Sequence, residues 1–300
     1  MKTNVAAYNL NFWQLVAARL KDLAELTKMR LSLLVVFSAV IAYLLALPSS
    51  PSYLSVLLLS LAGYLVTGAS NAINQVIEKD SDKLMDRTQN RPLPSGRMSV
   101  LEACLVAGIF GVAGISILAF YFNTLAGLLG ALALISYAFI YTPFKKVSPA
   151  SVFVGAVPGS MPLLIGWTAA TGSIGLGGLV LFAIQFFWQI PHFWSIAWLL
   201  NDDYAKAGFS LLPSNDGKTR GTALQNIPYL LGLMWVGVLP YFLHISGIIS
   251  CIIVAITAVF YLLKGIQLAV DMSDKSAKKL MFASFIYLPV VFLALLIDKI

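Results

Sequence analysis

The chain has 300 residues, of which 59% are hydrophobic and only 11% charged, with a formal net charge of +7. Soluble domains carry about 25% charged residues, so a soluble globular protein is excluded and a polytopic membrane protein is implied. The basic excess does not indicate nucleic acid, because the bases are scattered through the connections between apolar runs, as membrane topology requires.

The N-terminal segment, residues 1–25, lacks the continuous apolar core of a signal peptide. Leu10, Phe12, Trp13, Leu15, Val16 and Leu20 instead predict a short helix lying in the membrane interface. Runs long enough to cross a bilayer, about 20 residues each, then predict nine spanning helices. They fall near residues 31–47, 53–76, 100–121, 124–142, 150–170, 175–199, 225–244, 246–264 and 280–297. The fold class is therefore all-α, one membrane-embedded domain over residues 1–300. Cys104 and Cys251 stand alone in predicted spans and imply neither a disulfide framework nor a metal site.

Charge orients this bundle. Every basic residue except Lys299, and every acidic residue except Asp298, falls on one side of the nine spans. Positive charge retained inside makes that side cytoplasmic. The N-terminus is then cytoplasmic and the C-terminus external, in a bacterial-type inner membrane crossed many times. The outer connections are short and nearly chargeless, whereas a carrier tends to place substrate groups near the midplane. The chemistry of this chain sits at one face.

Residues 71–97 carry the first concentration of it. Asn74, Glu78, Asp82 and Asp86 recur every four positions. That step turns only about 40° around a helix, which stacks them on one face. Glu78 and Asp82 are hard oxygen donors suited to Mg²⁺, which takes one or two carboxylates and completes its shell with water and phosphate oxygens. Arg87 and Arg91 follow, and guanidinium forks match the geometry of a diphosphate. A solvated helix end would explain one such group but not the whole series.

Residues 188–213 carry the second. His192 and Asp203 are eleven apart, about 20° in phase on a continuous helix. Asp202, Asp203 and Lys206 are candidates for a second cation and diphosphate site facing the first. His192 has a bland reading too, as a hydrogen-bonded histidine inside the bundle, but ionisable residues within spans carry a functional presumption. A third stretch, 141–167, places Lys145 and Lys146 at the cytoplasmic mouth and Gly155, Gly159 and Gly166 where helices or a ligand approach closely. Trp188, Phe193, Trp194 and Trp198 crowd the sixth span, where aromatic faces suit an apolar chamber holding a prenyl chain and stabilising an allylic cation.

The run Asn74-x-x-x-Glu78-x-x-x-Asp82-x-x-Met85-x-Arg87-Thr88-x-x-Arg91-Pro92 resembles the first aspartate-rich motif of the UbiA-type intramembrane prenyltransferases. Leu26-Thr27-Lys28-Met29-Arg30 resembles that family's entry to its first span, with Met29 where the family has Pro. Ile190-Pro191-His192-Phe193, and Asp203-Tyr204-x-x-Ala207-Gly208 leading to Leu212-Pro213, are similar to the members whose acceptor is heme b. The resemblance runs from about Leu23 to Leu296.

It implies a nine-helix bundle with a cytoplasmic active-site opening, farnesyl diphosphate and heme b as substrates, Mg²⁺ as cofactor, and membrane lipid as surroundings. Other proteins of heme A and oxidase assembly are implied as partners, and nucleic acid is not. On this resemblance Glu78, Asp82 and Asp203 hold the metal, and Asn74 orients a metal-bound water or a carboxylate. Arg87, Arg91, Lys145, Lys206, Asp202 and Tyr141 bind substrate, the arginines clamping the diphosphate, and Arg30 or another basic residue receives the heme propionates. His192 faces the heme iron or a substrate proton. Two alternatives stay open: a prenyltransferase of the same fold acting on a quinone precursor or chlorophyllide, and a non-enzymatic heme chaperone or transporter.

Overall fold

The computed structural model describes residues 11–48, 50–214 and 217–300. Leu10 of the expected interfacial helix lies outside them. The helix itself forms over Phe12–Leu26 and starts with a capping box, Gln14 N donating to Asn11 Oδ1 and Asn11 N to Gln14 Oε1 (both 2.9 Å). Phe12, Trp13, Leu15 and Leu20 are exposed on it, as a helix lying in an interface requires.

Nine helices among the described residues are long and apolar enough to span a membrane: Met29–Ala46, Tyr53–Ile77, Val100–Phe122, Thr124–Phe144, Ser151–Thr171, Leu176–Leu199, Arg220–Phe242, Ile248–Asp271 and Asp274–Ile297. The expected count holds, and most ends agree within a few residues. The eighth and ninth spans are the exceptions. They run on to Asp271 and start again at Asp274, so the expected loop of residues 265–279 shrinks to Met272–Ser273. Apolarity marks only the part of a helix inside the bilayer, whereas backbone hydrogen bonding carries it into water.

The spans pack in sequence neighbours, the first also lying on the fifth and the sixth on the ninth. Two breaks in regular α-geometry matter for the site. A π-helical stretch, Ser136–Tyr141, interrupts the fourth span near its end, and Tyr137 and Tyr141 on it line the bundle interior. The second span stops at Ile77, and Glu78 caps it with φ −91° and ψ 3° before the short helix Lys79–Asp82.

Candidate active site

Lys28 sits where the interfacial helix turns into the first span, in a left-handed conformation (φ 47°). The second span holds this turn from beneath. Gln75 Nε2 donates to the carbonyls of Glu25 (3.0 Å) and Leu26 (2.8 Å), and Asn71 Nδ2 donates to that of Thr27 (3.2 Å). Carbonyls orphaned at a helix end are thereby satisfied. The turn is thus fixed, and Lys28 Nζ reaches Asn74 Oδ1 at 3.1 Å.

Asn74 is fully buried, and its Nδ2 donates to Thr142 Oγ1 (3.1 Å). Both ends of its amide are therefore engaged, so it joins the first, second and fourth spans. One turn on, Glu78 Oε1 accepts from Lys145 Nζ (2.8 Å), and Asp82 Oδ2 accepts from Arg91 Nη1 (2.7 Å). These pairs are buried, with side-chain exposures of 6% for Glu78, 12% for Lys145, 0% for Asp82 and 22% for Arg91. Lys145 Nζ also lies 4.7 Å from the centre of the Tyr141 ring. Burial pushes the Lys28 ammonium down to about 7, helped by Arg91 and Lys145 and opposed by Glu78 and Asp82.

The second polar loop closes over the first. Asp203, in the short helix Asn201–Lys206, accepts from the amides of Asp86 (2.9 Å) and Arg87 (3.4 Å). Partial desolvation pushes its pKa up, but those amides and Lys206 outweigh that and hold it below the ordinary carboxylate range. Lys206 Nζ pairs with Asp86 at 2.6 Å and Asp203 at 3.3 Å, and Arg87 Nη2 donates to the Tyr204 hydroxyl (3.3 Å). Met85, Ala207 and Phe209 pack together beneath these contacts.

Below the rim lies a chamber of about 320 Å³, walled by the first six spans and the ninth. Tyr141, Trp188, His192 and Phe193 line it. Three lining residues, Leu31, Leu34 and Phe285, are also exposed, so the chamber's lining reaches the bundle's surface at the first and ninth spans. The glycines expected to permit close approach do so: a Cβ at Gly155 would stand 2.5 Å from the Tyr141 ring, and one at Gly166 would strike the Ala39 carbonyl.

The arrangement of buried cations and carboxylates over an apolar chamber suits a lipid diphosphate, and the comparisons agree. The model of the UbiA prenyltransferase family matches residues 35–288. The chain belongs to that family. Among its relatives, a protoheme IX farnesyltransferase of Cytophaga hutchinsonii is 45% identical over 285 residues, covering 95% of this chain and 100% of the relative. One of Christiangramia forsetii is 45% identical over 288 residues, covering 94% and 95%. The fold is likewise that of solved structures. A digeranylgeranylglyceryl phosphate synthase has a TM-score of 0.79 at 21% identity, over 94% of this chain and 98% of that one. A UbiA homolog from Archaeoglobus fulgidus bound to GPP and Mg²⁺ has 0.69 at 16%, over 91% and 99%.

Several sequence expectations for this UbiA prenyltransferase need correcting. Asp86 does not continue the buried column. The helix stops at Ile77, the chain turns after Asp82, and Asp86 is exposed. His192 and Asp203 do not share a helix either, because Leu200 breaks it; His192 Nδ1 instead meets Ser284 Oγ at 2.7 Å. Among the described residues Asp202 is exposed and accepts only from Asn201 Nδ2 (3.3 Å), while Arg30 is exposed, so neither joins the cluster. Trp194 packs on Phe153 and Tyr229, and Trp198 Nε1 donates to Asp274, leaving Trp188 and Phe193 in the chamber.

Glu78, Asp82 and Asp203 are not gathered into a ready metal cage, and no three His, Cys, Asp or Glu side chains are so gathered among the described residues. Glu78 and Asp82 are drawn to Lys145 and Arg91, and Asp203 to backbone amides. Asp82 Oδ1 is nonetheless buried with no partner, an orphaned oxygen that a cation would satisfy. Mg²⁺ usually takes one or two protein carboxylates beside phosphate oxygens, so this donor set fits it. Sequence reasoning missed Lys28, Thr142, Asn71 and Gln75 as parts of the site.

Proposed function

We propose that this enzyme transfers the farnesyl group of farnesyl diphosphate to a vinyl group of heme b, with water adding, to give heme O and diphosphate. The observation that carries this is the 45% identity, over 95% and 94% of this chain, with two relatives called protoheme IX farnesyltransferase. The site supports it. Lys28, Arg87, Arg91, Lys145 and Lys206 surround the carboxylates with excess positive charge, which neutralises a leaving diphosphate. Glu78 and Asp82, with Asp203 from the facing loop, would hold Mg²⁺, which when bound supplies further charge neutralisation to the diphosphate. Asn74 acts by holding Lys28 against Thr142. The chamber keeps bulk water from the allylic cation while the vinyl carbon attacks, and its flank admits a membrane-borne tail.

The rim faces the cytoplasm of a bacterial-type inner membrane, in keeping with the one-sided charge. The chain works as one domain beside the other proteins of heme A and oxidase assembly. Incubating the purified protein with Mg²⁺, farnesyl diphosphate and either heme b or 4-hydroxybenzoate tests this. A farnesylated heme identified by mass supports it. A prenylated benzoate, or no diphosphate release with any acceptor, sinks it.

A further inference from the structure

The chamber is built for a hydrocarbon, yet the sixth span turns three polar side chains into it. Gln185, Gln189 and His192 line it at i, i+4 and i+7, one face of the helix. A prenyl tail has no use for them, and polar groups inside spans are otherwise rare. Gln189 is fixed in place. Its Nε2 lies 2.8 Å from Ser160 Oγ, 3.2 Å from the Gln185 carbonyl and 3.3 Å from that of Ala156. Its Oε1 lies over Gly159, where any Cβ would collide with it. The amide nitrogen is thus used up, and the oxygen remains an acceptor at the chamber wall.

Gln185 is only 8% exposed and its Oε1 has no partner. Of the buried, unpartnered polar atoms among the described residues, it alone belongs to a chamber-lining residue. His192 adds a third acceptor. Ser284 Oγ donates to the Met281 carbonyl (2.5 Å), so the short contact to His192 is made by Nδ1–H. Nε2 is then the unprotonated nitrogen. A buried acceptor without a donor is costly, and water is the smallest donor that occupies a polar corner of an apolar cavity.

We infer that this ladder holds the one water molecule that becomes part of the product. The inference rests on the vinyl acceptor proposed above. When the C–O bond of the prenyl diphosphate breaks, its electron pair leaves with the diphosphate. The vinyl π pair forms the new C–C bond to the farnesyl carbon, leaving a cation on the vinyl carbon beside the porphyrin ring. That cation either loses a neighbouring proton to give an alkene or takes a nucleophile. Gln185 Oε1 and His192 Nε2 accept the two hydrogens of water, Gln189 Oε1 standing beside them as a further acceptor, and turn its lone pair towards the cation. The C–O bond forms, and the released proton passes to His192 Nε2. Gln185 and Gln189 are water-positioning residues, and they decide hydroxyl over alkene.

The test is product composition by mass, with the full chain in lipid nanodiscs supplied with Mg²⁺, farnesyl diphosphate and heme b in isotopically labelled water. The wild-type protein gives a labelled hydroxyl adduct. Gln185→Met still consumes farnesyl diphosphate, but the ratio of hydroxyl adduct to the adduct lighter by one water falls by about tenfold or more, the size of one lost hydrogen bond on a competing step. Gln185→Glu, which keeps an oxygen acceptor at the same place, retains the hydroxyl. An unchanged hydroxyl fraction in folded Gln185→Met, or loss of all transfer in both variants alike, overturns the inference. Should Gln185→Met not fold, Gln185→Asn withdraws the acceptor by one methylene and is read in the same way. A wild-type protein that makes no heme adduct overturns the acceptor assignment itself, an outcome distinct from an unmoved product ratio.

Discussion

The two polar loops at the charged face carry the same kinds of side chain in different states of burial. Glu78 and Asp82 on the first are 6% and 0% exposed, Glu78 gripping Lys145 from the end of the fourth span and Asp82 gripping Arg91 of its own loop. On the second, Asp203 is 15% and Lys206 44% exposed, and Asp203 spends both oxygens on backbone amides of the first loop. Charges in a dry setting interact several times more strongly than charges in water. On the function proposed above, the first loop is where a developing negative charge would be met, and the second is the clasp that fixes Arg87 and Asp86.

The contrast predicts unequal losses. Asp82→Asn should cut diphosphate release by about a thousandfold or more, the range seen when a preorganised charge is removed. It should also lower the thermal midpoint in detergent, because Arg91 is left buried without its partner, a change worth roughly 3–5 kcal/mol. Adding Arg91→Met should restore the midpoint and leave turnover lost. Activity within tenfold of wild type in Asp82→Asn would erase the distinction between the loops. Asp203→Asn should be milder, about a hundredfold in turnover through a displaced Arg87. Its exposed pair with Lys206 is worth under about 1 kcal/mol, so the midpoint should barely move.

The nine spans were legible because apolarity over about 20 residues is a strong signal, and so was the residue content of both loops. Burial and helix breaks were not. Nothing in the spacing of Asn74, Glu78, Asp82 and Asp86 shows that the helix stops at Ile77, and a four-residue rhythm reads the same on either side of the break. The same blindness hid the break at Leu200 that separates His192 from Asp203. Lys28 went unassigned for another reason: its reach to Asn74 depends on a left-handed turn clamped by Asn71 and Gln75, which lie more than forty residues along the chain.

That lysine supplies a gentler probe. With its ammonium pushed down to about 7, Lys28 is cationic below that pH and loses its charge above it. Binding of an anionic diphosphate favours the cation, so affinity should fall as pH rises through 7, by up to tenfold per unit. Lys28→Arg stays charged throughout. The ratio of farnesyl diphosphate affinities, Lys28→Arg over wild type, should grow with pH, measured by calorimetry between pH 6 and pH 9. A flat ratio would mean that Lys28 does not feel the ligand.

Asp202 marks the lower bound of the series. It shares its neighbour's chemistry, yet it is exposed, and among the described residues its side chain accepts one hydrogen bond, from Asn201. An exposed charge with no buried partner contributes little to either stability or a screened ligand. Asp202→Asn should therefore leave turnover within about twofold of wild type, against the hundredfold loss expected at Asp203. Equal losses at the two positions would show that the loop acts through its overall negative charge and not through the grip of one carboxylate on the amides of Asp86 and Arg87.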